Sequence, residues 1–440
     1  MDLPLDARIF VHAPFRACPR CGLNQFGVFQ VAAEMYTRRC QACRFRGSFP
    51  LPRLSRKVVY VDQFAISNMM KTLNARSPGH KAAKADPFWL KLFEALERVV
   101  KFQLVVCPES DVHHQESMVF GCYEQLKRMY EQFSRGVTFD STDAIALRQL
   151  NNALLAWLEK RIPEHTFDPA DVVRGNLDQW REPFIVSVSG AYPPLIINAV
   201  REFRDDVHQK VRVLFDQELR TTPAADFKYW FARERRAGGR GIVQSYYLYL
   251  QRNHEIATGA VPFTYENVYQ SSGLDQFNLI TEVLKARGIP EERLMATLVA
   301  FLQSDEFKDY PASRISSLVW AAIGRAAAGG QKEPPNAGTS NDIRLLTLAP
   351  YCDALFVDNG CRALWEKIPS PYRAPYKVRL FSYNTRDQFL SYLQDIEDHG
   401  DPSVVAAARE VYGEPRPFVT MYEYEERRRQ QEATEGVEEG

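Results

Sequence analysis

Two kinds of residue in this chain carry chemistry by type and spacing: paired cysteines, and acids that stand where apolar runs end. Cys18-Pro-Arg-Cys21 and Cys40-Gln-Ala-Cys43 are separated by 18 residues, the spacing of a four-thiolate zinc site. Each CxxC turn presents two thiolates to one side of a tetrahedral ion. A closed four-cysteine site keeps no position for water, so the zinc expected here is structural. Cys107, Cys122, Cys352 and Cys361 are scattered and read as small buried hydrophobes. This is no disulfide framework, and a reducing cytoplasm is the expected location.

Charge distribution singles out the same segment. Residues 1–57 hold ten basic and three acidic residues, in a chain of 440 whose 55 Lys and Arg balance 55 Asp and Glu. Arg38, Arg39, Arg44 and Arg46 flank the second cysteine pair, with Phe26, Phe29, Tyr36 and Phe45 interleaved. Guanidinium groups beside aromatic rings suit phosphate contact and base stacking. These four arginines are therefore expected to bind nucleic acid. The competing expectation is a basic face that docks on an acidic patch of the same chain.

The acids form the second group. Asp62 directly follows Val58-Val-Tyr-Val61, and Asp358 directly follows Leu355-Phe-Val357. An Asp in that place often caps the next helix, but parallel sheets also gather functional groups past their carboxyl ends. Glu109, Asp111 and Glu116 follow Leu104-Val-Val-Cys107, with His113 and His114 between them, and Asp342 opens a helical run after Ser340-Asn341. Carboxylates held close together repel, which raises their pKa values unless cations bind. Oxygen-only clusters are the natural cage for Mg²⁺ or Mn²⁺, and such ions support hydrolysis at a phosphodiester. Asp353 sits at the other end of its strand, about 16 Å from Asp358 at the usual rise, and is expected to be structural, a turn or Arg partner.

The elements needed to position these residues are legible as an α/β pattern. Strands are expected at 57–62, 102–107, 354–358 and 377–382, with a helix over 86–101 between the first two. Their apolar, β-branched runs suit a parallel sheet buried on both faces. Between about 117 and 335 the pattern turns helical, with helices expected near 117–135, 141–160, 169–181, 194–220, 225–237, 242–257, 275–287, 290–304 and 312–328. Phe184 to Ser189 is the one strand-like interruption, and Gly238, Gly239 and Gly241 are expected to form a loop. Lys228, Arg233, Arg235, Arg236 and Arg240 make a second basic cluster, read first as a solvated helix face. Arg314 is a further candidate for a phosphate. No stretch approaches 18 uninterrupted apolar residues, and the N-terminus lacks the pattern of a signal peptide, so no membrane partner is expected.

VVYVDQFAIS, LVVCPESDVHHQE, NDIRLLTLAPYCDALFVDNG and VRLFSYNTRDQFLSYL together resemble a PIN-like nuclease domain. The resemblance covers roughly 57–120 and 338–398. It implies a PIN-like parallel sheet flanked by helices, interrupted by a large all-α insertion and preceded by a zinc ribbon. The units would be 1–52 (ribbon), 57–120 and 338–400 (the two halves), 121–337 (insertion) and 401–440 (an extension with a disordered tail). It further implies Asp62, Glu116, Asp342 and Asp358 as catalytic ligands of Mg²⁺ or Mn²⁺, with Asp111 or Glu109 as alternatives to Glu116. The implied activity is endonucleolytic hydrolysis of RNA rather than DNA, by in-line attack of water, leaving a 3′-hydroxyl and a 5′-phosphate. A defence or stress role, a second copy or a regulatory partner protein also belong to what the resemblance implies. Two other readings stay open: a non-catalytic adaptor that binds nucleic acid or protein, in which the acids do not converge, and a phosphohydrolase acting on small phosphates.

Overall fold

The computed structural model describes residues 10–74, 77, 79–119, 122–180, 197, 201, 208–264, 267–336 and 338–414. The chain is mixed α/β. Strands β1 (His12–Arg16), β2 (Phe26–Ala32), β3 (Met35–Cys40) and β4 (Arg46–Pro50) form an antiparallel sheet in that order. The β2–β3 hairpin is thus the centre of a four-stranded ribbon. Strands β5 (Lys57–Val61) and β6 (Val105–Val106) follow. The short pair β7 (Thr138–Phe139) and β8 (Val173–Arg174) comes next, then β9 (Ala354–Phe356) and β10 (Arg379–Phe381). The second sheet is parallel throughout, in the order β10-β9-β5-β6. A parallel bridge from Glu109 to Thr138 sets β7 beyond β6.

The parallel strands are buried on both faces because each alternates between two cores. Val59, Val61, Ala354 and Phe356 face one cluster, with Leu92, Phe93, Leu96 and Phe389. Val58, Tyr60, Leu355 and Val357 face the other, with Trp230, Ile315, Leu318 and Leu346. Period-2 alternation with both sides apolar is what a sheet covered by helices on each face requires. The ribbon joins the first core through Val28, Val31 and Tyr36, beside Val404, Ala408 and Val411 of the helix Pro402–Tyr412. The helix Pro311–Ala328 lies on the second face, while Leu150, Leu154, Ile280, Leu298 and Phe301 build a separate core farther out.

Several expectations for the helical block are corrected. Gly238, Gly239 and Gly241 lie inside one continuous helix, Phe227–Ala257. A Cβ at Gly239 would stand 3.0 Å from the Leu302 carbonyl oxygen, so this glycine permits close helix packing, which overrides its poor intrinsic propensity. The expected helix at 169–181 is a short 3-10 turn, Pro169–Asp171, followed by β8, whose pairing with β7 competes successfully with helix formation. Of the expected 117–135 helix, Tyr123–Ser134 is helical, and a separate helix, Asp111–Ser117, precedes it. The strand expected at 102–107 is confined to β6, since the preceding helix runs to Lys101. The expected strand at 184–189, much of the helix at 194–220 and the tail from 415 lie outside the described residues. Among the described residues no helix is long and apolar enough to cross a membrane.

Candidate functional site

The ribbon brings its four cysteines together. The Sγ atoms of Cys18, Cys21, Cys40 and Cys43 all lie within 4.8 Å of one another, with Cys18–Cys43 at 3.5 Å and Cys21–Cys40 at 3.7 Å. Thiolates about 2.3 Å from a tetrahedral ion stand about 3.8 Å apart, so the donor set fits zinc. The Arg20 amide donates to Cys18 Sγ. Burial opposes the Cys18 thiolate, but the amides of Cys21 and Arg20 and the neighbouring thiols outweigh it, bringing its pKa down to about 7.

The four arginines do not share one role. Arg38 is only 1 % exposed. Its guanidinium donates to the carbonyls of Pro14, Phe26 and Glu410 and to Glu410 Oε2, at 2.6–3.0 Å. The expectation that Arg38 contacts substrate is therefore corrected: it clamps the ribbon to the helix Pro402–Tyr412, with Arg16 bonded to the same carboxylate. Arg44 and Arg46 are exposed, and Arg39 is half-buried. Arg39 stands directly opposite Arg46 across β3 and β4. Both guanidiniums lie over Phe29, at 5.5 and 5.0 Å from its ring centre. Phe29 occupies the point where the β2–β3 register shifts, and such bulges re-aim side chains.

At the sheet, Asp62 and Asp358 stand just past the ends of adjacent strands, since Val61 pairs with Phe356 and the Asp62 amide donates to the Phe356 carbonyl. Each also caps the helix it precedes: Asp62 Oδ1 accepts from the Gln63 amide and Asp358 Oδ1 from the Cys361 amide, both at 2.7 Å. Asp342 sits in the first turn of the helix Thr339–Leu346, and Glu116 near the end of the helix Asp111–Ser117. Asn341 ties these two helices together by donating to Glu116 Oε1 at 2.9 Å.

Burial first, then the charges of Glu116, Asp342 and Asp358, push Asp62 well above the usual carboxylate range. Burial, Asp358 and Glu116 push Asp342 up to about 8. The carboxylates are nevertheless spread more widely than the thiolates. Among the described residues only the cysteines bring three or more ligand atoms within 4.8 Å of one another.

The alternatives to Glu116 have other partners. Glu109 accepts from Ser134 Oγ and faces His114 Nε2 at 3.2 Å. Asp111 pairs with Arg344 at 2.6 Å and accepts from Thr142. Asp353, at the far end of β9, pairs with Lys57 and accepts from the Val58 amide. It is structural as expected, with a lysine in place of the expected turn or Arg partner.

The sequence leaves the role of His113 open. The residue is buried between Tyr60 and Tyr130, with ring centres 4.5 and 4.6 Å away. The Ser110 amide donates to its Nδ1, which leaves Nε2–H to donate to the Val61 carbonyl. Burial lowers its pKa to about 3, so the neutral ring braces the strand end next to Asp62 against the helix that carries Glu116. His-His on a short capped helix is the signal in the sequence; its direction toward β5 is not.

The second basic cluster is partly neutralised. Arg233 pairs with Glu218, while Arg235 and Arg314 both pair with Asp309. No protein-family model, curated protein or solved structure matches the chain.

Proposed function

We propose that this chain is a PIN-like, divalent-metal-dependent nuclease whose zinc ribbon helps hold the substrate, with RNA as the preferred nucleic acid. The observation that carries this reading is geometric: Asp62 and Asp358 stand just past the ends of adjacent parallel strands, and Asp342 and Glu116 come from two helices tied together by Asn341, so that four acids are drawn from four separate segments. They lie at the carboxyl edge where the connections from β5 lead one way and β9 and β10 lie on the other side. In open α/β sheets such a switch point is where ligands bind.

Asp62 and Asp342, both buried and both pushed up by burial and by the acids around them, mark a site short of positive charge. The donor set is oxygen only and so fits Mg²⁺ or Mn²⁺. The wide spacing suits Mg²⁺, which keeps several waters and takes few carboxylates. A bound ion would supply Lewis-acid stabilisation of phosphoryl oxygens and a more acidic water. The protein's own contribution is positioning: helix caps fix Asp62 and Asp358, Asn341 holds Glu116, and His113 braces the strand end. On the ribbon, Arg39 and Arg46 face each other with Phe29 beneath, and neither has an ion pair among the described residues. Like charges directly opposite are unfavourable, and a phosphate between them would relieve that repulsion.

The test is cleavage of single-stranded RNA and DNA by purified protein with Mg²⁺, with Mn²⁺ and with chelator. Metal-dependent cleavage that vanishes in Asp62→Asn supports the reading. Cleavage that persists in that variant overturns it.

A further inference from the structure

A half-open cavity of about 510 Å³, with a mixed polar and apolar lining, lies behind the helix that carries Asp342, walled by the inserted helices. Glu234, Gln276, Ser313, Ser316, Ser317 and Trp320 line it. Among the described residues the Glu234 carboxylate, the Gln276 amide and the three serine hydroxyls have no hydrogen-bond partner in the protein. Ser317 is only 7 % exposed and lines the cavity, where its hydroxyl is open to a ligand or to water. Arg344, the one cation among the described lining residues, is already committed to Asp111, Thr142 and Gln115, with Asp143 at 3.6 Å. Asp143 and Glu234 therefore leave the lining acidic.

We propose that this cavity binds a small unphosphorylated nucleoside, with guanine as the best-fitting base. A carboxylate such as Glu234 can accept the two parallel N–H donors of guanine, the geometry that makes bidentate pairs strong. The serine hydroxyls and Gln276 can pair with the ribose hydroxyls, and Trp320 offers a ring wall. The acidic lining, with Arg344 neutralised, disfavours a phosphate.

The cavity is not the acid cluster. Ser340, Ile343, Arg344 and Thr347 line it from one face of the Thr339–Leu346 helix at i, i+3, i+4 and i+7. Asp342 projects from the far side of that helix. A ligand seated here would bear on Arg344, which ties the Asp342 helix to the Glu116 helix through Asp111 and Gln115. It would thereby tune the acid spacing. This coupling rests on the nuclease reading, whereas binding does not.

The experiment is calorimetric titration of the full chain with guanosine, and with GMP as a counter-probe. One guanosine per chain, GMP at least tenfold weaker, and at least tenfold weaker guanosine binding in Glu234→Gln support the proposal. Asp62→Asn should bind guanosine like the parent, so loss of nuclease activity leaves this result readable. No binding at millimolar guanosine overturns the proposal. So does equal binding of GMP, or guanosine affinity unchanged in a folded Glu234→Gln, Ser317→Ala double variant. In cleavage assays, a rate changed by saturating guanosine supports the link to Asp342, and an unchanged rate overturns that link.

Discussion

Asp62 and Asp358 cap two different helices from the ends of two adjacent parallel strands, and each uses its Oδ1 to do so. Capping is commonly taken as a structural duty, yet one capping oxygen leaves the second oxygen of each carboxylate for a further partner. The caps fix both side chains before any ion arrives.

If these acids act as one unit, each substitution should be about as damaging as any other. Asp62→Asn and Asp358→Asn should each lower divalent-dependent cleavage by about 100-fold or more, with melting temperature retained. Asp353→Asn, at the other end of β9, should leave the rate near the parent's. A rate profile in which Asp353→Asn is as damaging as Asp358→Asn would move the site to the wrong end of the sheet.

The acid cluster should make the metal-free protein sensitive to alkaline conditions. Asp342 has a folded pKa of about 8, against an ordinary aspartate value of 3.8. The native state therefore holds a proton that the unfolded chain has released, and stability falls as pH rises from about 4 through 8. In chelator, Asp342→Asn should gain about 1–3 kcal/mol at pH 8 and little near pH 4. Added Mg²⁺ or Mn²⁺ should raise the melting temperature of the parent more at pH 8 than at pH 5. Thermal melts across that range, with and without cation, check the sign.

Zinc loss should be felt beyond the ribbon. Elemental analysis should find about one zinc per chain, and Cys40→Ser should lower it. Because Val28, Val31 and Tyr36 belong to the same core as the parallel sheet, the variant should also melt earlier as a whole. Protein purified without chelator that holds no zinc would refute the assignment.

Arg38 and Arg39 are neighbours with opposite expected phenotypes. Arg38→Ala leaves the carbonyls of Pro14, Phe26 and Glu410 without their donor, while Arg16 still pairs with the Glu410 carboxylate, and should cost about 1–3 kcal/mol of stability. Neutralising Arg39, Arg44 and Arg46 together should leave the melting temperature nearly unchanged. It should flatten the salt dependence of RNA binding by about 0.7 for each phosphate that is no longer neutralised. Binding isotherms at several salt concentrations, with melts on the same samples, separate the two effects.

The sequence by itself determined the features that are local. The CxxC spacing marks the thiolate cluster because a four-residue turn sets its geometry. The apolar β-branched runs mark β5 and β9 because both faces of each are buried, and Asp62 and Asp358 stand where those runs stop. The helix Pro402–Tyr412 has its own local signals, Asp401-Pro402 at its start and Gly413 at its end, but its short amphipathic stretch merges into a charged tail. Tertiary structure decided the rest. Which acid after β6 joins Asp62 depends on partners far away in the chain, since Arg344 takes Asp111 and Ser134 takes Glu109. Which of two adjacent arginines faces outward depends on Glu410, some 370 residues distant. Three glycines in four residues signal a loop until the Glu291–Gln303 helix packs against Gly239. In each case a long-range interaction chooses between local states of nearly equal energy, and a single sequence does not say which distant segment will supply it.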